Sequence, residues 1–262
     1  MAKDLFYKTK EEIELIRESS LLVGKTLAEV AKAIKPGVTT LSLDKIAFEF
    51  ISDNKATPAF LNYNGFPNSL CISVNAHVVH GIPGKYELKD GDIVSVDCGV
   101  VKNTFVGDSA YTFPVGDVKP EILNLLKVTK ESLYKGIEMS VVGKRIGDIA
   151  EAVQTHAESN GFTVVRELVG HGVGKYLHES PEVPNYGKKG TGLKLQEGLV
   201  IAIEPMINFG KRTIIQENDG WTIRTADNLP SAHFEHTLAI GKTKADILSS
   251  FDFIEEVLKN KK

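Results

Sequence analysis

The sequence predicts one α+β domain built from two pseudo-twofold halves, about 1–118 and 119–262. Three observations point there. Two amphipathic helical segments precede strand-like runs in the first half, the second half repeats that order, and no low-complexity stretch or linker separates the two. A chain of 262 residues suits one large domain, and its 42% hydrophobic and 25% charged residues are globular proportions. These figures exclude a disordered, collagen-like or coiled-coil chain.

Thr9 followed three residues later by Glu12 is a capping box, and Ile13, Ile16, Val23, Leu27, Val30 and Ile34 then recur at helical spacing. This first helix should stop at Lys35-Pro36-Gly37. Residues before Thr9 show no evident anchor. A second helix is expected over 42–54, then strands rich in Val, Ile, Phe and Tyr at 70–74, 93–101 and 104–113. The second half gives helices over 120–137 and 146–160 and strands at 163–168, 199–206, 221–224 and 233–240. Leu43, Ile46, Ala47 and Phe50 in one second helix match Ile146, Ile149, Ala150 and Val153 in the other, as an internal duplication would leave them.

Thirty-one Lys+Arg against 34 Asp+Glu leave a net charge of −3, which disfavours a nucleic-acid partner. No run approaches the roughly 18 apolar residues that span a bilayer, and the start, MAKDLFYKTKEEIELIRESS, is charged where a secretory signal would be apolar. A cytoplasmic protein with no membrane partner is expected. In that setting the two cysteines, Cys71 and Cys98, read as thiols packed in strands.

The segment IVSVDCGVVKNTFVGDSAYTF has the pattern of a hairpin, and a two-residue turn at Lys102-Asn103 would set Asp97 directly opposite Asp108. Like charges so placed are destabilising. Either a divalent cation lies between them, or one is a solvated turn residue and the other caps a strand end. A second acidic pair, Glu204 in LVIAIEPMI and Glu235 in AHFEHTLAI, is embedded in apolar strands with no Lys or Arg closely flanking it. Buried carboxylates need cations, so metal is the simpler account, although a distant Lys or Arg could fold against them. His171 and His178 lie in the Gly-rich VGHGVGKYLHESP, which suits a loop or bulge close to a ligand, and His80 sits at a strand end in VVHGIP. Two Asp, two Glu and a His suit two divalent ions with oxygen preference, Mn²⁺ or Fe²⁺ before thiolate-bound zinc. Such a pair activates water, and hydrolysis is the implied reaction class.

These motifs together resemble the type I methionine aminopeptidases of the pita-bread fold, in which an antiparallel sheet is covered by helices. The resemblance rests on NGFPNSLCISVN with VVHGIP, DGDIVSVDCG with VGDSAYTF, GHGVGKYLHESP, VIAIEPMI and FEHTLAI. It implies that Asp97, Asp108, His171, Glu204 and Glu235 hold two divalent ions (Mn²⁺, Fe²⁺, Co²⁺ or Zn²⁺), with Asp108 and Glu235 bridging. It further implies that His80 and His178 contact substrate and that Glu204 moves protons. Tyr63, Phe66, Cys71, Leu177 and Trp221 would line a pocket for the methionine side chain. The implied substrate is the N-terminal Met of nascent peptides when the next residue is small, met by a monomer, near the ribosome's peptide exit. By that rule Met1-Ala2 is itself a substrate sequence.

The chain departs from the pattern at Leu177, where Phe is expected, and at Ala76-His77, where an acidic residue is expected. Neither removes a metal ligand. Competing readings are an X-Pro aminopeptidase or prolidase, which would share all five ligands, and a non-catalytic pita-bread protein that binds peptide or RNA. A dinuclear phosphoesterase is disfavoured by the lack of a phosphate-cradling loop.

Overall fold

The computed structural model describes residues 4–260, so the Met1-Ala2 sequence lies outside the described residues. Helix α1 (Lys10–Ala33) opens on the expected box: Thr9 Oγ1 accepts from the Glu12 amide at 3.2 Å and Glu12 Oε2 accepts from the Thr9 amide at 3.0 Å. Helix α2 (Thr40–Asp53) starts two residues before the expected 42 because Thr39 is the cap, accepting from the Ser42 amide. Helix α3 (Pro120–Glu138) begins with Pro at its first position, where the missing amide costs nothing, and α4 (Ile146–Ser159) follows. Helix α5 (Asp252–Asn260) was not anticipated. At nine residues it is too short to persist alone, and it forms because it packs on α1 with Ile254 buried.

Among the described residues the strands pair antiparallel, in four small sheets. The hairpin is the longest pairing, Ile93–Lys102 with Phe105–Pro114, but its register differs from the expected one. The turn is Asn103-Thr104, both at positive φ (50° and 67°), the geometry of a two-residue turn that matches strand twist. Asp97 therefore faces Ala110, and Asp108 faces Gly99. The slip is two residues, and side chains alternate with period two, so both carboxylates still share one face as diagonal neighbours.

Two expected strands are interrupted at candidate site residues. The 199–206 run divides into Val200–Ile203 and Met206–Asn208 around Glu204-Pro205, and the 233–240 run into Ser231–His233 and His236–Ala239 around Phe234-Glu235. Pro205 has no amide to give a ladder, which accounts for the first break. The strand expected over 163–168 is only Thr163–Val164, and that over 221–224 is Ile223–Thr225.

Helix α1 lies on the hairpin so closely that a Cβ at Gly107 would stand 2.3 Å from the Ser20 amide nitrogen. Ser19 Oγ fixes the crossing by donating to the Phe105 carbonyl at 2.9 Å. Helices α3 and α4 pack together, and α3 covers the strands around Glu204 and His233. Residues 5–8 are anchored after all: Leu5 bridges Ser180, Tyr7 bridges Leu199, and the Lys8 amide donates to the Gly198 carbonyl at 2.6 Å. Among the described residues no helix is long and apolar enough to cross a membrane.

Candidate active site

One cavity of about 270 Å³ is lined by Asp97, Asp108, His171, Glu204, Glu235, His80, His178, Tyr63, Phe66, Cys71, Leu177 and Trp221, so the structure gathers every site residue named from the sequence. Phe60 and Asn64 line it too and went unnoticed, having no signature beyond proximity to Tyr63.

The acids arrive from both halves. Asp97 and Asp108 project from the hairpin, while Glu204 and Glu235 sit at the strand breaks, where the chain bends and a side chain can leave the sheet plane. Cross-links hold the halves in register: the Glu235 amide donates to the Ala110 carbonyl at 3.0 Å, Ser109 Oγ to the Glu235 carbonyl at 2.6 Å, and Thr237 Oγ1 to the Asp108 carbonyl at 2.8 Å. His171 lies at a pairing irregularity between Gly170 and Gly172. Both glycines are required there, since a Cβ would stand 2.4 Å from the carbonyl oxygens of Ala202 and Ser180 respectively.

Ligand atoms of Asp108, His171 and Glu235 lie within 4.8 Å of one another. His171 Nε2 is 3.8 Å from Asp108 Oδ2 and 3.6 Å from Glu204 Oε1. Its Nδ1 stands 2.9 Å from the Gly172 carbonyl, an acceptor only, so Nδ1 carries the proton and Nε2 offers a lone pair to a cation held by the carboxylates. Burial lowers the His171 pKa to about 3, keeping the ring neutral, as a metal ligand must be.

Burial raises all four acids, Asp97 to about 7, with the neighbouring carboxylates pushing Asp108 and Glu235 further and the Asp97 charge pushing Glu204. Among the described residues, Asp97 Oδ1, Asp108 Oδ1 and Glu235 Oε1 are buried with no hydrogen-bond partner, and no Lys or Arg lines the cavity. The distant cation that could have compensated the acids is thus not among the lining residues. Orphaned carboxylate oxygens converging on a neutral imidazole are the donor set of a hard divalent cation, and the residues fit one.

His178 is perpendicular to His171 with ring centres 4.4 Å apart, and its Nδ1 is 2.9 Å from Tyr63 Oη. Partial burial lowers the His178 pKa, and burial brings His80 down to about 4. His80 stands at φ 59°, a left-handed conformation that costs free energy in a non-glycine residue and recurs at active sites. Phe60, Phe66, Cys71 and Leu177 form one apolar cluster, with Trp221 edge-on to Phe66 at 5.2 Å. Cys71 and Cys98 are free thiols in neighbouring strands. The buried His233, whose Nε2 is 3.7 Å from Glu204 Oε2, also escaped the sequence reading.

The acids, the neutral imidazole and the pita-bread arrangement define a metallopeptidase of family M24, which residues 14–242 match, and the chain belongs to that family. Within it the chain falls among the methionine aminopeptidases. It is 50% identical to the methionine aminopeptidase of Clostridium perfringens over 94% of this chain and 98% of that one, and 50% identical to methionine aminopeptidase 1 of Bacillus subtilis over 92% and 98%. The crystal structure of the Rickettsia prowazekii methionine aminopeptidase superposes with a TM-score of 0.93 at 41% identity, covering 94% of this chain and all of that one. The prolidase of Pyrococcus furiosus, at 23% identity and a TM-score of 0.77, shares the fold, and this chain spans 65% of its length.

Proposed function

We propose that this chain removes the N-terminal methionine from peptides and nascent proteins when the next residue is small, by hydrolysis of the first peptide bond. The observation that carries the reading is the single cavity that joins a buried carboxylate–imidazole cluster to an apolar, thiol-containing wall. Its sequence likeness to methionine aminopeptidases, against 23% identity to the prolidase, favours this over an X-Pro peptidase.

Asp97, Asp108, His171, Glu204 and Glu235 would hold two divalent ions, Mn²⁺, Fe²⁺, Co²⁺ or Zn²⁺, with Asp108 and Glu235 shared between them. Bound there, such ions supply Lewis acidity and bring the pKa of a water towards neutrality. The protein's own groups do the rest. Glu204, less deeply enclosed than Asp108 or Glu235, accepts and returns the proton of the attacking water. His178, with Nδ1 engaged by Tyr63 Oη, directs Nε2 towards the scissile group; if Tyr63 donates, Nε2–H is a donor for the oxygen on which charge develops. His80, which lines the same cavity, contacts the same substrate. Phe66, Cys71, Leu177 and Trp221 enclose the thioether, which polarizable aromatic and thiol surfaces suit. Tyr63 serves both as wall and as the partner of His178.

The chain works as one catalytic domain with halves about 1–118 and 119–262, supported by the helix pair and strands in each. We place it in the cytoplasm as a monomer acting near the ribosome's peptide exit, with no membrane or sequence-specific nucleic-acid partner. The test is release of free methionine from Met-Ala-Ser and Met-Lys-Ser with added Mn²⁺, Fe²⁺ or Co²⁺. Cleavage of the first and not the second is expected; no release from either with any metal would refute the proposal.

A further inference from the structure

The loop that carries His178 and Leu177 is held by side-chain contacts rather than by a strand ladder: Leu177 is buried in the apolar cluster, Tyr176 meets Phe6, and Lys175 Nζ is 3.7 Å from Glu12 Oε1. Residues 174–178 belong to no strand, yet His178 and Leu177 both line the cavity that holds the acids. Beneath this loop lies a charge pair that the chemistry does not use. Lys8 Nζ meets Glu179 Oε2 with the two side chains only 5% and 3% exposed, across 171 positions of sequence. Glu179 spends its other oxygen, Oε1, on the Tyr176 amide at 3.1 Å, and Lys8 gives a second hydrogen bond to the Phe6 carbonyl at 3.0 Å.

The surroundings are built to admit this pair. A Cβ at Gly174 would stand 2.3 Å from Lys8 Cε, 2.6 Å from Glu179 Oε1 and 2.7 Å from Lys8 Nζ, so the residue that opens the loop must be glycine for the pair to fit. The Gly174 carbonyl accepts from the Val106 amide at 2.8 Å, which ties the loop's start to the hairpin strand that bears Asp108. The pair ties its end to the N-terminal segment, itself fastened by the Leu5–Ser180 and Tyr7–Leu199 bridges.

We propose that the buried Lys8–Glu179 pair is a positioning device for His178, which makes residues 5–8 a working part of the substrate site. Glu179 lines a neighbouring cavity with His80, His171, His178 and Glu204, but neither Lys8 nor Glu179 lines the one that holds the four acids. The pair acts by fixing the backbone on both sides of His178, through Tyr176 on one flank and Glu179 on the other, so that the imidazole stays within reach of both Tyr63 and the reacting group. A displacement of about 1 Å at such a group costs on the order of a hundredfold in rate. This inference rests on the role given to His178 above.

The test is a functional double-mutant cycle on the metal-loaded enzyme with Met-Ala-Ser. Removing one partner strands a buried charge, so the primary variant replaces both, Lys8→Met with Glu179→Leu. We expect kcat/KM to fall at least tenfold, mostly in kcat, with bound metal unchanged. In a His178→Ala background the same double replacement should change kcat/KM less than twofold, because the group it positions is gone. An equal fold-loss in both backgrounds would mean that the pair supports the fold only, and would overturn the proposal, as would unchanged kcat/KM in the primary variant. If the uncharged pair does not fold, Lys8→Arg, which keeps the charge but crowds Gly174, supplies the same comparison. A His178→Ala enzyme with full activity would instead remove the role of His178, and a wild-type enzyme that releases no methionine would remove the reaction itself.

Discussion

Replacing Asp97 with asparagine should stabilise the metal-free protein and destabilise the metal-loaded one. Burial carries the Asp97 pKa from an ordinary 3.8 to about 7. A carboxyl whose folded pKa lies above its unfolded value holds its proton in the fold while the unfolded chain has released it. Its contribution is therefore full below about pH 4 and is lost as pH rises through about 7, a difference on the order of 4 kcal/mol. The asparagine side chain has the same shape and no charge, so above pH 7 the metal-free variant should gain about that much over wild type. For a chain of this size that is roughly 10 °C in melting temperature. The buried neutral histidines, His80, His171 and His233 among them, lose stability on the acid side of about pH 6.5, but they do so in both proteins and cancel in the difference. The assay is thermal unfolding of chelator-treated wild type and Asp97→Asn from pH 4.5 to 8, repeated with excess Mn²⁺. The advantage of the variant should be small at pH 4.5, largest at pH 8 and reversed by the metal, which compensates a carboxylate and binds an amide poorly. An Asp97→Asn protein that is no more stable than wild type at pH 8 without metal, or equally favoured at both pH values, would refute the account of the acids as uncompensated charge.

Three further outcomes follow from the same geometry. Asp108→Ala or Glu235→Ala should abolish turnover and lower bound metal, read by elemental analysis, because each removes an acid whose oxygen is orphaned without a cation; near-normal turnover in excess metal would refute the shared-ligand assignment. Gly107→Ala should cost at least about 3 kcal/mol in denaturant unfolding, since the new Cβ would press on the backbone of Ser19 and Ser20, which cannot yield without lifting α1 from the hairpin. Leu177→Ala should cost about 2–5 kcal/mol of stability and raise KM for methionyl peptides more than it lowers kcat, because a buried wall of the side-chain pocket is lost while the acids are untouched. An unchanged KM would place the methionine side chain elsewhere.

What the sequence determined by itself is local or periodic. The capping box at Thr9 and Glu12, the proline opening α3 and the apolar spacing of α1 through α4 are properties of a few adjacent residues, and each element formed within about two residues of its expected position. The acidic set was legible for a related reason, since carboxylates in apolar strands are too costly to leave unexplained. The hairpin showed both the reach and the limit of such reasoning. Its turn was misplaced, yet Asp97 and Asp108 kept a common face, because an even slip preserves side-chain alternation. The strand breaks at Glu204 and Glu235 were not foreseen, although Pro205 carried a signal for the first. Tertiary structure alone decided the rest. Only the folded chain brings the hairpin acids against Glu204 and Glu235, sets Tyr63 on His178, and closes Lys8 onto Glu179 beneath Gly174. The last two contacts join residues 115 and 171 positions apart, in pairs the local sequence does not mark, because they depend on how separate elements pack, which no window of neighbouring residues encodes.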